Sequence, residues 1–126
     1  MSDSRGAALE VLRGVRAGKP FNLSLDRSTG DLSTTDRRLT VEIVSGVLRN
    51  LLQLDRQLAP LIHQGWDGLQ ADVRDILRIG TYQIQFLSRV PRYAAVNTAV
   101  EMAKQSGNSQ ASGLVNAVLK QIPDEL

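Results

Sequence analysis

Cysteine is absent from the chain and histidine occurs once, at His63. Those two gaps remove whole classes of chemistry: disulfide frameworks, thiol nucleophiles, thiolate-held zinc or iron–sulfur centres, and any site that needs two imidazole ligands. No metal site and no cofactor is expected. Aromatics make up only 4% of the residues, so few side chains are available for stacking. No stretch of eighteen apolar residues occurs, and the opening Met1-Ser2-Asp3-Ser4-Arg5 lacks the basic-then-apolar order of a secretory leader. These features predict a soluble cytoplasmic protein with no membrane partner. Neither a Gly-x-Gly-x-x-Gly nor a Walker-type loop is present, so nothing supports nucleotide binding.

What the chain does contain is enough apolar material for one core, at 42% of 126 residues, and a single domain over 1–126 is the working reading. Charge is nearly balanced, at fifteen Lys plus Arg against thirteen Asp plus Glu, yet arginines outnumber lysines twelve to three. A guanidinium presents a planar fork that fits phosphates and base edges, and fits structural carboxylates equally well.

Period-two alternation is nearly missing, whereas spacings of three and four recur throughout, which predicts an all-α chain. A first helix is expected over about Ser4 to Ala17, stopped by Gly18-Lys19-Pro20. A short one should follow from Phe21 to Arg27, with a turn at Ser28-Thr29-Gly30-Asp31. Ser33, with Asp36 three residues on, forms an aspartate version of a capping box and should start a third helix. Apolar residues at helical spacing from Leu39 to Leu61 are too many for one straight rod, so a break is expected near Asn50 to Gln53. Gly46, within a wide apolar surface, suggests a close approach by another backbone. Val73, Ile76, Leu77, Gly80, Ile84 and Leu87 mark a further amphipathic helix running to Val90-Pro91. Two shorter helices, divided at Gly107-Asn108, complete the chain.

Catalytic candidates are few. His63 beside a Gly/Trp loop has no obvious acid partner, so a structural role is its default reading. Asp72 and Asp75 fall in the first turn of a helix, where they complement its dipole. The arginines carry the only surface pattern. On the first helix Arg5, Arg13 and Arg16 lie within about 80° of one another at 100° per residue. Arg38, Ser45 and Arg49 align with Glu42 on the third helix, and Arg74, Arg78, Thr81 and Gln85 form another stripe. Each stripe reads either as solvated surface or as a grip on successive phosphates of a single-stranded RNA. For Arg78 the structural reading leads, as a partner of an acid such as Asp55. Phe86 is expected in the core, Tyr82 and Tyr93 as buried rings or as faces for a neighbouring cation, and Asn97 and Asn116 as helix-bridging or capping residues rather than base readers.

At these residues the sequence resembles the NusB family, which includes the antitermination factors and the N-terminal domain of bacterial 16S rRNA 5-methylcytosine methyltransferases of the RsmB type. The resemblance covers nearly the whole chain. It rests on Asp36-Arg37-Arg38, Gly46-Val47-Leu48-Arg49 and Leu54-Asp55, on Leu77-Arg78-Ile79-Gly80-Thr81-Tyr82-Gln83, on Pro91 with Ala95-Val96-Asn97 and Val100-Glu101-Met102-Ala103-Lys104, and on Leu114-Val115-Asn116-Ala117-Val118-Leu119. It implies a bundle of about seven helices in two subdomains that binds RNA, rRNA or boxA-like, and does no catalysis itself. The segments Arg5–Leu12 and Thr40–Ser45 look more like the methyltransferase domain than the free-standing factor. A methyltransferase catalytic domain and ribosomal protein S10 (NusE) are the protein partners implied by the two branches. Methylation needs a following cofactor-binding domain with catalytic cysteines, and these 126 residues contain neither. The RNA-binding set expected on this reading is Arg5, Arg13, Arg16, Arg38 and Arg49. A protein-interaction module that touches no RNA is the competing class, and exposed large apolar residues would be its mark.

Overall fold

A computed structural model describes residues 3–107 and 109–125, and among these residues it contains seven α-helices and no strand. Helix α1 spans Ser4–Arg16 and is capped by Asp3, whose carboxylate accepts from the Gly6 amide at 2.7 Å. Its end is a Schellman motif: Gly18 takes φ +86°, its N–H bonds Val15 O, and the Lys19 N–H reaches Gly14 O at 2.9 Å. Pro20 opens α2, Phe21–Thr29, which runs two residues beyond the expected Arg27. Ser33 caps α3, Thr34–Arg49, by accepting from the Asp36 amide. The Asp36 carboxylate does not return to the cap as a capping box would have it; it accepts from the Ser4 hydroxyl at 3.4 Å and so ties α3 to the start of α1.

The predicted break falls at Asn50, whose backbone N–H and side-chain amide both bond Gly46 O. Helix α4, Leu51–Leu58, then leads through 3₁₀ turns at Ala59–Leu61 and Trp66–Gly68 into α5, Ala71–Phe86. That helix stops at Phe86, short of the expected Val90-Pro91. Pro91 instead precedes α6, Arg92–Gln105, as a residue with fixed φ and no N–H suits a helix entry. Helix α7 is Ser109–Gln121. Gly107 has φ +86° at the intervening turn; Asn108, also expected there, lies outside the described residues.

Helix α5 is the axis of the packing, touching α1, α3, α4, α6 and α7, while α2 lies on α1 and α3. Its inner residues Val73, Ile76, Leu77 and Ile79 join Val11, Ile43, Val47, Leu54, Leu58 and Leu119 in a continuous core. Two glycines set the helix approaches. A Cβ on Gly46 would lie 2.0 Å from Cζ of Tyr82, so α3 and α5 meet through an aromatic ring over a glycine rather than by the backbone approach expected from the sequence. A Cβ on Gly80 would fall 2.6 Å from Leu119 Cδ1, which places α7 on the opposite side of α5.

Candidate nucleic-acid interface

The three arginines of α1 project together, as their spacing requires, and what they meet is α5. The two helices run antiparallel, so residues late in α1 face residues early in α5. Arg5 Nε donates to Gln83 Oε1 at 2.9 Å. Arg13 grips Asp72 through Nε and Nη2, at 3.0 and 2.7 Å to the nearer oxygens. Arg16 bonds Asp72 at 2.9 Å through Nη2 and Asp75 through Nη1. This ladder continues inward. Arg78 donates to Asp75 at 2.9 Å and to both oxygens of Asp55, at 2.8 and 2.9 Å, which is the Asp55 pairing anticipated for it. Its guanidinium carbon lies 5.3 Å from the centroid of Trp66, so the tryptophan takes the cation face that the sequence offered to Tyr82.

Arg13, Arg16 and Arg78 against Asp55, Asp72 and Asp75 make a charge-balanced network linking α1, α4 and α5. The Arg13 guanidinium, hydrogen-bonded to Asp72, outweighs burial and holds that carboxyl below the usual carboxylate range, with help from Arg16. The Asp72 hydrogen bond likewise raises Arg13. Burial works against the charge on Arg78, but Asp55 and then Asp75 more than offset it and raise its pKa. The other α5 stripe also turns inward. Arg74 donates to Leu69 O at 2.8 Å, Thr81 to Leu77 O, and Gln85 bonds Gln57 and Pro123 O.

Helix α3 differs. Arg38 and Arg49 stand on its outer face, opposite the buried Thr40, Ile43 and Val47, and make no hydrogen bond or ion pair among the described residues. Glu42, between them, is bound by Arg89 at 3.1 Å, which cancels the one acid of the stripe. Arg37 is held by Asp26 and Thr29. Next to this face Tyr82 is buried over Gly46, and burial pushes its phenol up, with Glu42 adding to the shift and Arg49 and Arg89 opposing it. Phe86 stacks on it, centroids 4.9 Å apart and planes 12° from parallel, and remains 39% exposed. The core position expected for Phe86 is therefore corrected: helix α5 ends at this residue, and one face of the ring is left to solvent. Sequence reasoning missed its exposure, because a phenylalanine in the last turn of a helix carries no mark of where the packing ends.

The remaining candidates lie apart. His63 is exposed, Tyr93 is 71% exposed, and Asn97 and Asn116 make no bridging hydrogen bond among the described residues. No group of three His, Asp or Glu suited to a metal occurs among those residues, and no helix is long and apolar enough to cross a membrane.

The fold and this surface define a helical scaffold in which Arg13, Arg16 and Arg78 are paired between helices, while Arg38 and Arg49 on α3 make no pair among the described residues. The chain belongs to the NusB family, whose model matches residues 2–124. Among curated proteins it is 34% identical over 124 residues to a probable ribosomal RNA small subunit methyltransferase B of Bacillus subtilis (strain 168), covering 96% of this chain and 28% of that protein. The Synechocystis counterpart is also 34% identical over 95% of this chain. The chain thus spans a little over a quarter of the methyltransferases it matches. It is 39% identical over 79 residues to the transcription antitermination protein NusB of Latilactobacillus sakei, covering 61% of this chain and 56% of that one. Among solved structures, T. maritima NusB superposes with a TM-score of 0.84 at 21% identity, covering 94% of this chain and 87% of the other. A chain in a structure described as a plectonemic RNA supercoil superposes equally well, at 0.84 and 20% identity, covering 94% and 90%. These likenesses show the fold.

Proposed function

We propose that this chain is a non-catalytic RNA-binding domain that positions rRNA in the cytoplasm, as the N-terminal domain of an rRNA cytosine-5 methyltransferase. The observation that carries the reading is the outer face of α3. Arg38 and Arg49 are exposed there and make no hydrogen bond or ion pair among the described residues, and Phe86, 39% exposed, stacks on Tyr82, whose phenol feels the charges of Arg49 and Arg89. Cations one or more turns apart can meet successive phosphates, and an exposed ring accepts an unstacked base. Arg5 also keeps its charge for a phosphate, since its bond goes to a neutral amide. Arg13 and Arg16 serve the interface only second, because a phosphate must compete there with Asp72 and Asp75. The methyltransferase branch is preferred because its members match more than nine-tenths of this chain.

A free-standing antitermination factor that binds boxA RNA with ribosomal protein S10 (NusE) is the alternative, and it draws on the match to the Latilactobacillus protein. A protein-docking module draws on a different observation: Leu48 and Leu52, one turn apart at the α3–α4 corner, are both exposed, Leu52 to 63%. Fluorescence anisotropy with labelled 16S rRNA fragments and a boxA oligonucleotide separates these readings. Saturable binding to rRNA fragments that weakens steeply with salt is the expected result. Preference for boxA would move the assignment to antitermination, and no binding to either RNA would leave the docking module.

A further inference from the structure

The cleft between α1 and α2 has contents that the α3 surface does not explain. Glu10, Arg13, Gly14 and Ala17 line it from one face of α1, Ser24, Arg27 and Ser28 from one face of α2, and Lys19 from the connection, around a volume of about 330 Å³. Ser24 is 6% exposed, and its hydroxyl is buried without a hydrogen-bond partner. Among the described residues it shares that state only with the Gln83 Nε2 amide. The other buried serine and threonine hydroxyls have acceptors: Ser4 bonds Asp36, and Thr29, Thr40 and Thr81 each bond the carbonyl four residues back. Ser24 instead bears on Gly14, where a Cβ would lie 2.4 Å from its Oγ. Only glycine there leaves room for that hydroxyl.

Charge points the same way. Lys19 and Arg27 make no ion pair or hydrogen bond among the described residues, and Ser28 has no acceptor for its hydroxyl. Arg13 spends Nε and Nη2 on Asp72 and leaves Nη1 unbonded. Glu10 is the single carboxylate lining the cleft. Cations, one unsatisfied buried hydroxyl and a second hydroxyl open to solvent around one cleft are the arrangement that receives a group rich in acceptor oxygens and negative charge. The geometry points to a phosphate-group site in the α1–α2 cleft, held by Lys19 and Arg27 with Ser24 and Ser28 as donors. The phosphate comes either from an RNA backbone or from a free inorganic anion. The site stands on the cleft itself; joined to the RNA reading, it adds a backbone contact away from α3.

The test is a ¹H–¹⁵N chemical-shift titration of the chain with inorganic pyrophosphate and, separately, with a short rRNA oligonucleotide, each against a sodium chloride control of equal ionic strength. Saturable shifts centred on the amides of Gly14, Lys19, Ser24 and Ser28 are expected. Lys19→Ala and Arg27→Ala should each weaken binding about tenfold, as loss of a charge-assisted contact does. Glu10→Gln should tighten it. Ser24→Ala should weaken it while leaving Tm unchanged or higher, a split that a purely structural serine would not give. Pyrophosphate shifts identify a free-anion site, and shifts with RNA alone assign the phosphate to a nucleic-acid backbone. Shifts matched by sodium chloride, shifts that persist in a Lys19→Ala/Arg27→Ala double variant, or none with either ligand would overturn the proposal.

Discussion

Replacing Asp75 by asparagine removes the charge that Arg16 and Arg78 share at the centre of the α1–α5 ladder. The Asp75 side chain is 6% exposed and that of Arg78 15%, so the guanidinium left behind cannot be hydrated as it would be at the surface. Breaking a buried pair from one side costs about 3–5 kcal/mol. Arg78 retains two bonds to Asp55, which argues for the lower end, about 3 kcal/mol. At about 2.1 cal/mol/K per residue, a 126-residue chain has an unfolding entropy near 0.26 kcal/mol/K, so Tm should fall by about 11 °C. Arg13→Ala is the control. Its pair with Asp72 is far more exposed, and such a pair is worth about 1 kcal/mol or less. Urea melts of both variants, analysed by linear extrapolation, give the comparison with unchanged m-values. An Asp75→Asn variant that loses no more than Arg13→Ala would refute the claim that these arginines are spent on holding α1 to α5.

Three further outcomes follow from the same contacts. Gly46→Ala drives a methyl to 2.0 Å from the Tyr82 ring and should cost about 2–3 kcal/mol in a urea melt, because the ring is packed under Phe86 and cannot swing aside. Gly80→Ala meets only the end of a leucine side chain and should cost less, about 1 kcal/mol. Asp72 has a folded pKa below its unfolded value of about 3.9, so its contribution is complete above that pH and is lost as pH falls through the lowered folded value. The stability gap between the wild type and Asp72→Asn, measured by thermal melts, should therefore shrink as pH drops from about 5 to about 2.

Much of the fold was legible because local signals agree with the packing. Ser33 caps where a cap was read, Asn50 breaks the long apolar run, and the inner faces of α3 and α5 carry the expected periodic residues. Local signals fail where the outcome depends on a partner far along the chain. Helical periodicity put Arg5, Arg13 and Arg16 on one face, but their acceptors lie 56 to 78 residues away on α5, and spacing within α1 says nothing about that helix. Asp72 does stand in the first turn of α5, as its spacing suggests, whereas Asp75 lies a turn further on, and the arginines that bind both carboxylates come from α1, where no local signal on α5 could show them. Gly46 was correctly read as a close approach, while the identity of the approaching group, a ring, required knowing that α5 crosses there. Phe86 shows the converse: its spacing belongs to the core, but the helix ends with it, and the packing ends on its inner side.

The central claim is that RNA is held by Arg38 and Arg49 of α3 while Arg13 and Arg16 of α1 are occupied with structure. Its most direct measurement is the salt dependence of affinity for an rRNA fragment, compared between the wild type and Arg38→Ala/Arg49→Ala. At about 0.7 per phosphate contact to a single strand, loss of two contacts should lower the slope of log K against log salt by about 1.4, with the thermal melt unchanged. A slope that stays at the wild-type value, or that falls only when Arg13 and Arg16 are replaced, would contradict it.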